Sequence, residues 1–277
     1  ILMALLVKLP VRAVGIFGLA VIVLHNLFGG PLVGLAQAHG GDALGALLRI
    51  LYVGFWAGPI RLGPQGPNLV VLYSIIPWIG VMAAGYAFAR VLTLEAPHRN
   101  RLCLRIGLGA VLLFLVLRGF NLYGDPSPWS AAPGEPGAPR MPAPLAFLNT
   151  SKYPASLLFL LMTLGPTIAL IPLLERAKGG VARLITVYGR VPFFYYMLHI
   201  PLIHALALLV SRARSGAIDP WLFTNHPMGN PPPPEGYPWG LPLLYLVWLV
   251  ALAILYPICR WFAGVKARRD EWWLRYL

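Results

Sequence analysis

The sequence predicts an all-α protein: a polytopic transmembrane helix bundle of about six spanning helices, joined on one side by long loops. Three observations carry this expectation. Hydrophobic residues make up 58% of the 277 and charged residues only 11%, where a soluble domain carries roughly 25% charged. Mean hydropathy is +0.70, so the chain cannot cover itself with a water-facing surface. The apolar residues form nearly continuous runs without period-two alternation, which excludes a closed barrel and leaves helices. A net charge of +13 suggests nucleic acid at first sight. The Lys and Arg residues, however, lie between apolar runs and not on one polar face, which is the pattern of membrane topology.

The chain opens on Ile1 and a short apolar run that ends at Lys8 and Pro10. Such a run cannot cross about 30 Å of hydrocarbon, which needs roughly 20 residues. The charge follows the run, unlike a signal peptide, so it reads as the remnant of an earlier helix. Residues 1–277 are then a single transmembrane domain, the carboxy-terminal portion of a larger one.

Six apolar stretches follow. The first runs from about Ala13 to Phe28 and is expected to stop at Gly29-Gly30-Pro31. The second covers Leu69 to Ala89, the third Leu102 to Phe120, the fourth Pro154 to Leu174, the fifth Val191 to Val210 and the sixth Leu241 to Cys259. Gly80 and Ala84, one turn apart, suit close helix packing. Cys103 and Cys259 each end an apolar run, without a partner at metal-ligand spacing, and read as buried free thiols. No metal site is expected.

With the carboxyl terminus in the cytoplasm, about two-thirds of the 22 Lys and Arg residues fall on short inner connections, as the positive-inside rule requires. The expected location is a bacterial inner membrane, crossed several times. The outer connections, residues 29–68, 121–153 and 211–240, are long and rich in Gly and Pro. Loops of this length are uncommon unless functional or disordered. Ala43 to Trp56 is apolar around Arg49 and suits the outer interface. The run Pro231 to Pro234 should be extended. Trp261, Trp272 and Trp273 lie among cations past the last helix, as interfacial anchors do.

Soluble-enzyme signatures such as a phosphate loop, His-Glu-x-x-His or Gly-x-Ser-x-Gly are absent from the sequence. The functional candidates are therefore polar residues in or near lipid, where they are costly. His199, about nine residues into the fifth helix, shares a face with Tyr195 and Tyr196. Pro192 and Pro201 flank it and are expected to break the backbone ladder. Its two readings are a proton-moving imidazole in a channel and a histidine bonded to a neighbouring helix. At the outer mouth, Arg118, Asn121 and Asp125 are spaced to form one stripe if the third helix extends that far. Asn149 or Ser151 is placed to cap the fourth helix, with Pro154 in its first turn. Lys152 would then stand at the positive end of the helix dipole, a position that suits a visiting anion or carbonyl. His25 and Asn26 join this ring from the first helix. On the inner side Arg190 is placed to hold a phosphate of a cytosolic cofactor.

Several stretches together resemble a known family: Leu122-Tyr-Gly-Asp-Pro, Phe147-Leu-Asn-Thr-Ser-Lys-Tyr-Pro, Tyr188-Gly-Arg-Val-Pro-Phe-Phe-Tyr-Tyr-Met-Leu-His and Trp261-Phe-Ala-Gly-Val-Lys-Ala-Arg-Arg. They look like the bacterial DUF1624 family, which is similar to the catalytic domain of heparan-alpha-glucosaminide N-acetyltransferase. The resemblance implies a membrane acyltransferase that takes acetyl-CoA or another acyl-CoA from the cytosol. The acyl group would pass to a sugar or other envelope acceptor on the outer face. It places the family's catalytic histidine in a segment before Ile1, so none of the six histidines here inherits that role. On this reading Arg190, Tyr195 and Tyr196 contact the donor, His199 lies on the path, and Arg118, Asn121, Asn149, Lys152, His25 and Asn26 face the acceptor. The lipid bilayer is the principal partner, a homo-oligomer is compatible, and nucleic acid is not expected. A transporter or lipid-handling protein without covalent chemistry remains the alternative.

Overall fold

The computed structural model describes residues 2–63, 66–130, 141–224 and 232–275. The expected all-α architecture is present. Among the described residues six helices are long and apolar enough to cross a membrane, which makes this a multi-pass membrane protein. Arg140 and Pro231 lie outside the described residues. The sequence reading treats the chain as one domain; its contacts fall into two compact units, Ile1–Arg176 and Ala177–Leu277.

In the first unit α1 (Leu2–Leu6) leads into α2 (Val11–Ala38). Helix α2 does not stop at Gly29-Gly30-Pro31 but continues ten residues past Phe28. At about 1.5 Å per residue its 28 residues span about 42 Å, more than the hydrocarbon thickness. The end of the apolar run thus marks the exit from the membrane and not the end of the helix. Pro31 lies two turns from the carboxyl end of the helix, where a missing backbone donor and a small kink are tolerated.

The expected loop 29–68 is instead largely ordered. Asp42 caps α3 (Ala43–Leu48) by accepting the Gly45 amide at 3.0 Å. A wide π turn (Arg49–Val53) and a 3₁₀ turn (Gly54–Ala57) follow, then a two-stranded ribbon of β1 (Ile60–Arg61) and β2 (Asn68–Leu69) in antiparallel register. Val53 and Ala57 pack on Ala36 of α2 with Leu32, Val33, Leu48 and Tyr52 around them. Arg49, expected at the outer interface, is buried and donates to the Ala57 and Gly58 carbonyls.

Two helix pairs make the rest of this unit. Helix α4 (Ile75–Leu92) lies on α2, and α5 (Ala96–Gly119) on α7 (Leu157–Leu174). Small residues set both approaches. A Cβ on Gly18 would meet the Gly80 carbonyl oxygen at 2.8 Å and the Ala84 amide nitrogen, and one on Gly80 would meet Val21. This is the packing expected of Gly80 and Ala84. A Cβ on Gly107 would fall 2.7 Å from Ala169. Arg99 of α5 pairs with Glu175 past the end of α7 at 2.8 Å, joining one end of that pair. The opposite end carries the long connections and the short helix α6 (Ala143–Leu148).

In the second unit α8 (Gly180–Arg190), α9 (Pro192–Ser215) and α11 (Leu241–Arg268) enclose Val191, Leu255, Cys259, Phe262, Ala263 and Leu274. Phe194 and Phe262 stack with ring centres 4.0 Å apart. A single turn, α10 (Trp221–Thr224), lies in the 211–240 connection, and Pro232 to Pro234 show no helix or strand. Pro192 and Pro201 do not break α9: Pro192 occupies its first turn, where its missing donor costs nothing, and Pro201 lies inside a continuous helix. Cys103 and Cys259 are both buried, one in each unit.

Candidate functional site

Three cavities collect the chemically active side chains, two in the first unit and one in the second. In the first unit the chain Leu122–Ser130 folds back under the carboxyl end of α5. Helix α5 ends at Gly119, and Asn121 takes a left-handed conformation with φ 50°. The expected helical stripe Arg118–Asn121–Asp125 therefore does not form, yet the fold-back still brings these residues together. Arg118, only 2% exposed, donates from Nε to Phe147 O (3.0 Å) and from Nη1 to Ser127 O (2.9 Å). Its Nη2 reaches Asn149 O (2.6 Å) and Ala146 O (3.3 Å). The Asp125 side chain, also 2% exposed, stands 4.0 Å from Arg118. It accepts from the Ser127 and Ser151 amides and from the Ser151 and Ser156 hydroxyls. A buried charge pair with its remaining sites filled in this way holds loops in place. Asn121 does the same, exchanging two hydrogen bonds with the Trp129 backbone at 3.0 Å.

The cap of α7 also differs from expectation. Ser156 accepts the Phe159 amide at 3.0 Å, so neither Asn149 nor Ser151 caps the helix, and Pro154 precedes it. Asn149 contributes its backbone carbonyl to Arg118. Lys152, five residues ahead of the helix, is removed from the positive end of its dipole. Its ammonium lies 5.0 Å from the Tyr153 ring centre. The Tyr153 phenol raises the Lys152 pKa, and the Tyr73 and Lys152 side chains lower that of Tyr153.

Asn26 links two cavities. Its Oδ1 accepts the Leu157 amide at 3.0 Å, at the level where α7 begins. On one side lies a cavity of about 270 Å³ bounded by Asn26, Arg118, Asn121, Tyr123, Asp125 and Leu158. On the other is a more apolar cavity of about 350 Å³ bounded by His25, Asn26, Gly29, Gly30, Val33, Tyr52, Val53, Trp56, Pro126 and Pro154. His25 is 4% exposed. Its Nδ1 donates to Val21 O (3.0 Å) and Ile22 O (3.2 Å). Its buried Nε2 has no hydrogen-bond partner among the described residues; the Ala155 carbonyl flanks the ring outside hydrogen-bond geometry. Two phenols clamp the same stretch of α2, Tyr52 on the His25 carbonyl and Tyr123 on the Val23 carbonyl, each at 2.5 Å. Burial, with a smaller contribution from Tyr123, pushes the Tyr52 phenol up to about 12.

In the second unit a cavity of about 850 Å³ opens between the length of α8, with the residues just before it, and the carboxyl half of α11. Lys178, Arg183, Arg190 and Arg260 line it beside Gly179, Gly180, Thr186 and Tyr256, with no carboxylate among the lining residues. Arg190 thus takes its place beside three further cations. Tyr195 and Tyr196 do not line this cavity. Tyr195 packs edge-on against Tyr188, and His199 stacks on Tyr195 at 5.3 Å while its Nδ1 donates to Tyr196 O at 2.6 Å. His199 is half-exposed and lines none of the cavities described here.

Sequence reasoning missed Lys178 and Arg260 as partners of Arg190, and missed Tyr52 and Trp56 as walls of the His25 cavity. A partial signal existed for the first: Val181, Leu184, Ile185 and Tyr188 recur at helical spacing around Arg183, but Arg260 lies on another helix. No such signal pointed to the second, because the contact of residues 49–57 with α2 depends on tertiary folding. No protein-family model, curated protein or solved structure matches this chain.

Proposed function

We propose that this chain is part of a membrane acyltransferase that draws an acyl group from acyl-CoA on the cytoplasmic side. The group passes to an amine or hydroxyl, on a sugar or another envelope molecule, at the opposite face. The reading extends the family resemblance of the sequence. The observation that carries it is the cavity lined by Lys178, Arg183, Arg190 and Arg260, with no acidic residue in its wall. Among the described residues none of these four cations is held in an ion pair. Like charges gathered around one hollow repel each other and are relieved by an anion, and guanidinium groups suit phosphate oxygens in particular. The phosphates of CoA supply such charge, and the cavity volume suits an extended nucleotide.

The chemistry conserves atoms without an external oxidant or reductant. The acceptor oxygen or nitrogen bonds to the acyl carbon, the carbon–sulfur bond breaks, and the acceptor proton leaves to a base while the thiol is released. Donors directed at the acyl oxygen would stabilise the negative charge that develops there. Acyl-CoA binding to the purified full-length protein tests the reading. We expect binding that weakens by about tenfold or more in Arg190→Ala, the cost of one charge-assisted contact. Absence of binding, or binding indifferent to Arg190→Ala, Arg183→Ala and Arg260→Ala, would contradict it.

A further inference from the structure

The cavity beside His25 combines features that protein packing alone does not explain. The histidine is buried, and its Nδ1 edge faces two carbonyls of its own helix, which accept only. In the neutral ring Nδ1 therefore carries the proton and Nε2 presents a lone pair. The Nε2 edge faces away from the helix backbone and is unpartnered. A buried acceptor without a donor is costly, and such groups are rare in native structures unless they serve a ligand or water. Asn26 adds the complementary group. The Leu157 amide fixes Oδ1 as its acceptor end, which leaves the Nδ2 donor for the cavities that Asn26 lines. Tyr52 and Trp56 supply flat apolar walls. Gly29 and Gly30 leave the space open: a Cβ at either would meet nothing within 4 Å, so neither glycine is required by a neighbouring element.

No charged side chain lines this cavity. Asp125, next to the lining residue Pro126, is occupied by its serine and amide partners and by Arg118. A buried ammonium or phosphate would thus lie without a counter-charge, at a large cost. We infer that the His25–Asn26 cavity is a binding site for a small uncharged alcohol, whose hydroxyl donates to His25 Nε2 and accepts from Asn26 Nδ2. Its apolar face rests on Trp56 and Tyr52. The identification of this alcohol as the acyl acceptor rests on the proposed function, and would make the product an ester and not an amide. The binding site itself does not depend on that function.

A matched pair of probes tests it: trans-1,2-cyclohexanediol, and trans-2-aminocyclohexanol, which carries an ammonium at neutral pH. Binding is read by saturation-transfer NMR on the full-length protein in nanodiscs. The diol should bind, and the amino alcohol should bind at least about tenfold more weakly. His25→Phe should weaken the diol by about tenfold, and Gly30→Leu, whose Cβ enters open space, should exclude it. Gly30→Leu keeps the test valid if His25→Phe fails to fold. Equal binding of both probes, no binding of the diol to the unaltered protein, or diol binding that survives both substitutions would overturn the inference. Acyl-CoA binding measured on the same samples reports on the cation cavity alone, so failure of one reading is distinguishable from failure of the other.

Discussion

Arg118 is a guanidinium buried at the end of a membrane-spanning helix, and its hydrogen bonds explain why it is tolerated there. Four bonds to the carbonyls of Phe147, Ser127, Ala146 and Asn149 tie two separate stretches of chain to α5. Replacing it with Met leaves those carbonyls without their donor and the Asp125 carboxylate without its counter-charge. A loss of about 3–5 kcal/mol follows, measurable as a lower midpoint of unfolding in detergent. Asp125→Asn keeps the shape and some of the bonds and should cost less, about 1–3 kcal/mol. Tyr52 makes a prediction about pH. Its folded pKa, about 12, lies above the unfolded value near 10. The stability linked to its neutral form is therefore complete below about pH 10 and is lost as pH rises through 12. Ultraviolet titration of the phenolates should show a late-ionising fraction, to which partly buried Tyr123, Tyr188 and Tyr237 also contribute, that shrinks by one tyrosine in Tyr52→Phe. At this scale the sequence marked the right residue types but not their employment. Arg118, Asn121 and Asn26 do come together, because polar groups at a helix end must find partners near lipid. His199 was conspicuous for its depth in an apolar run, whereas His25 gains its significance from Tyr52 and Trp56, which no local pattern links to it.

Elements follow two different rules, one for spanning and one for ending. Apolar runs located all six spanning helices, because about 20 apolar residues are needed to cross hydrocarbon. They did not locate the helix ends. Helix α2 outruns its apolar stretch by ten residues, and α11 continues from Cys259 to Arg268 with cations in its last turn, where they complement the helix dipole. The start of α7 was placed too early, at Pro154, because Ser156 captures Phe159 while the preceding residues serve Asp125. Helix packing, in contrast, was legible at Gly80 and Ala84. Two glycines of α5 make this testable on one element. Gly107→Val would force a side chain into Ala169, 2.7 Å from the position of its Cβ, and should separate α5 from α7, costing about 1–3 kcal/mol or more. Gly109→Ala, whose Cβ meets nothing within 4 Å, should be neutral or stabilising by up to about 1 kcal/mol through helix propensity. Thermal unfolding of the two variants side by side distinguishes a packing glycine from an open one.

For the whole molecule the account joins a chain of six candidate spans to two chemically opposite sites. The cavity of the second unit is cationic and suits a phosphate-bearing donor; the His25 cavity of the first is uncharged and suits a neutral alcohol. Composition announced the membrane, since 11% charged residues cannot solvate a chain of this size. The division into two units was not legible, because it depends on which helices pair and not on where apolar runs begin. Sidedness is the claim on which donor and acceptor assignments both depend, and the distribution of cations predicts it. The direct measurement is labelling with a membrane-impermeant thiol reagent in a background where Cys103 and Cys259 are replaced by Ser. Single cysteines are placed at two exposed positions, Leu62→Cys in the β1–β2 connection and Arg269→Cys after α11. The account predicts that intact cells label Leu62→Cys only, and that Arg269→Cys reacts after permeabilisation. Labelling of Arg269→Cys in intact cells, or of both positions from one side, would contradict it.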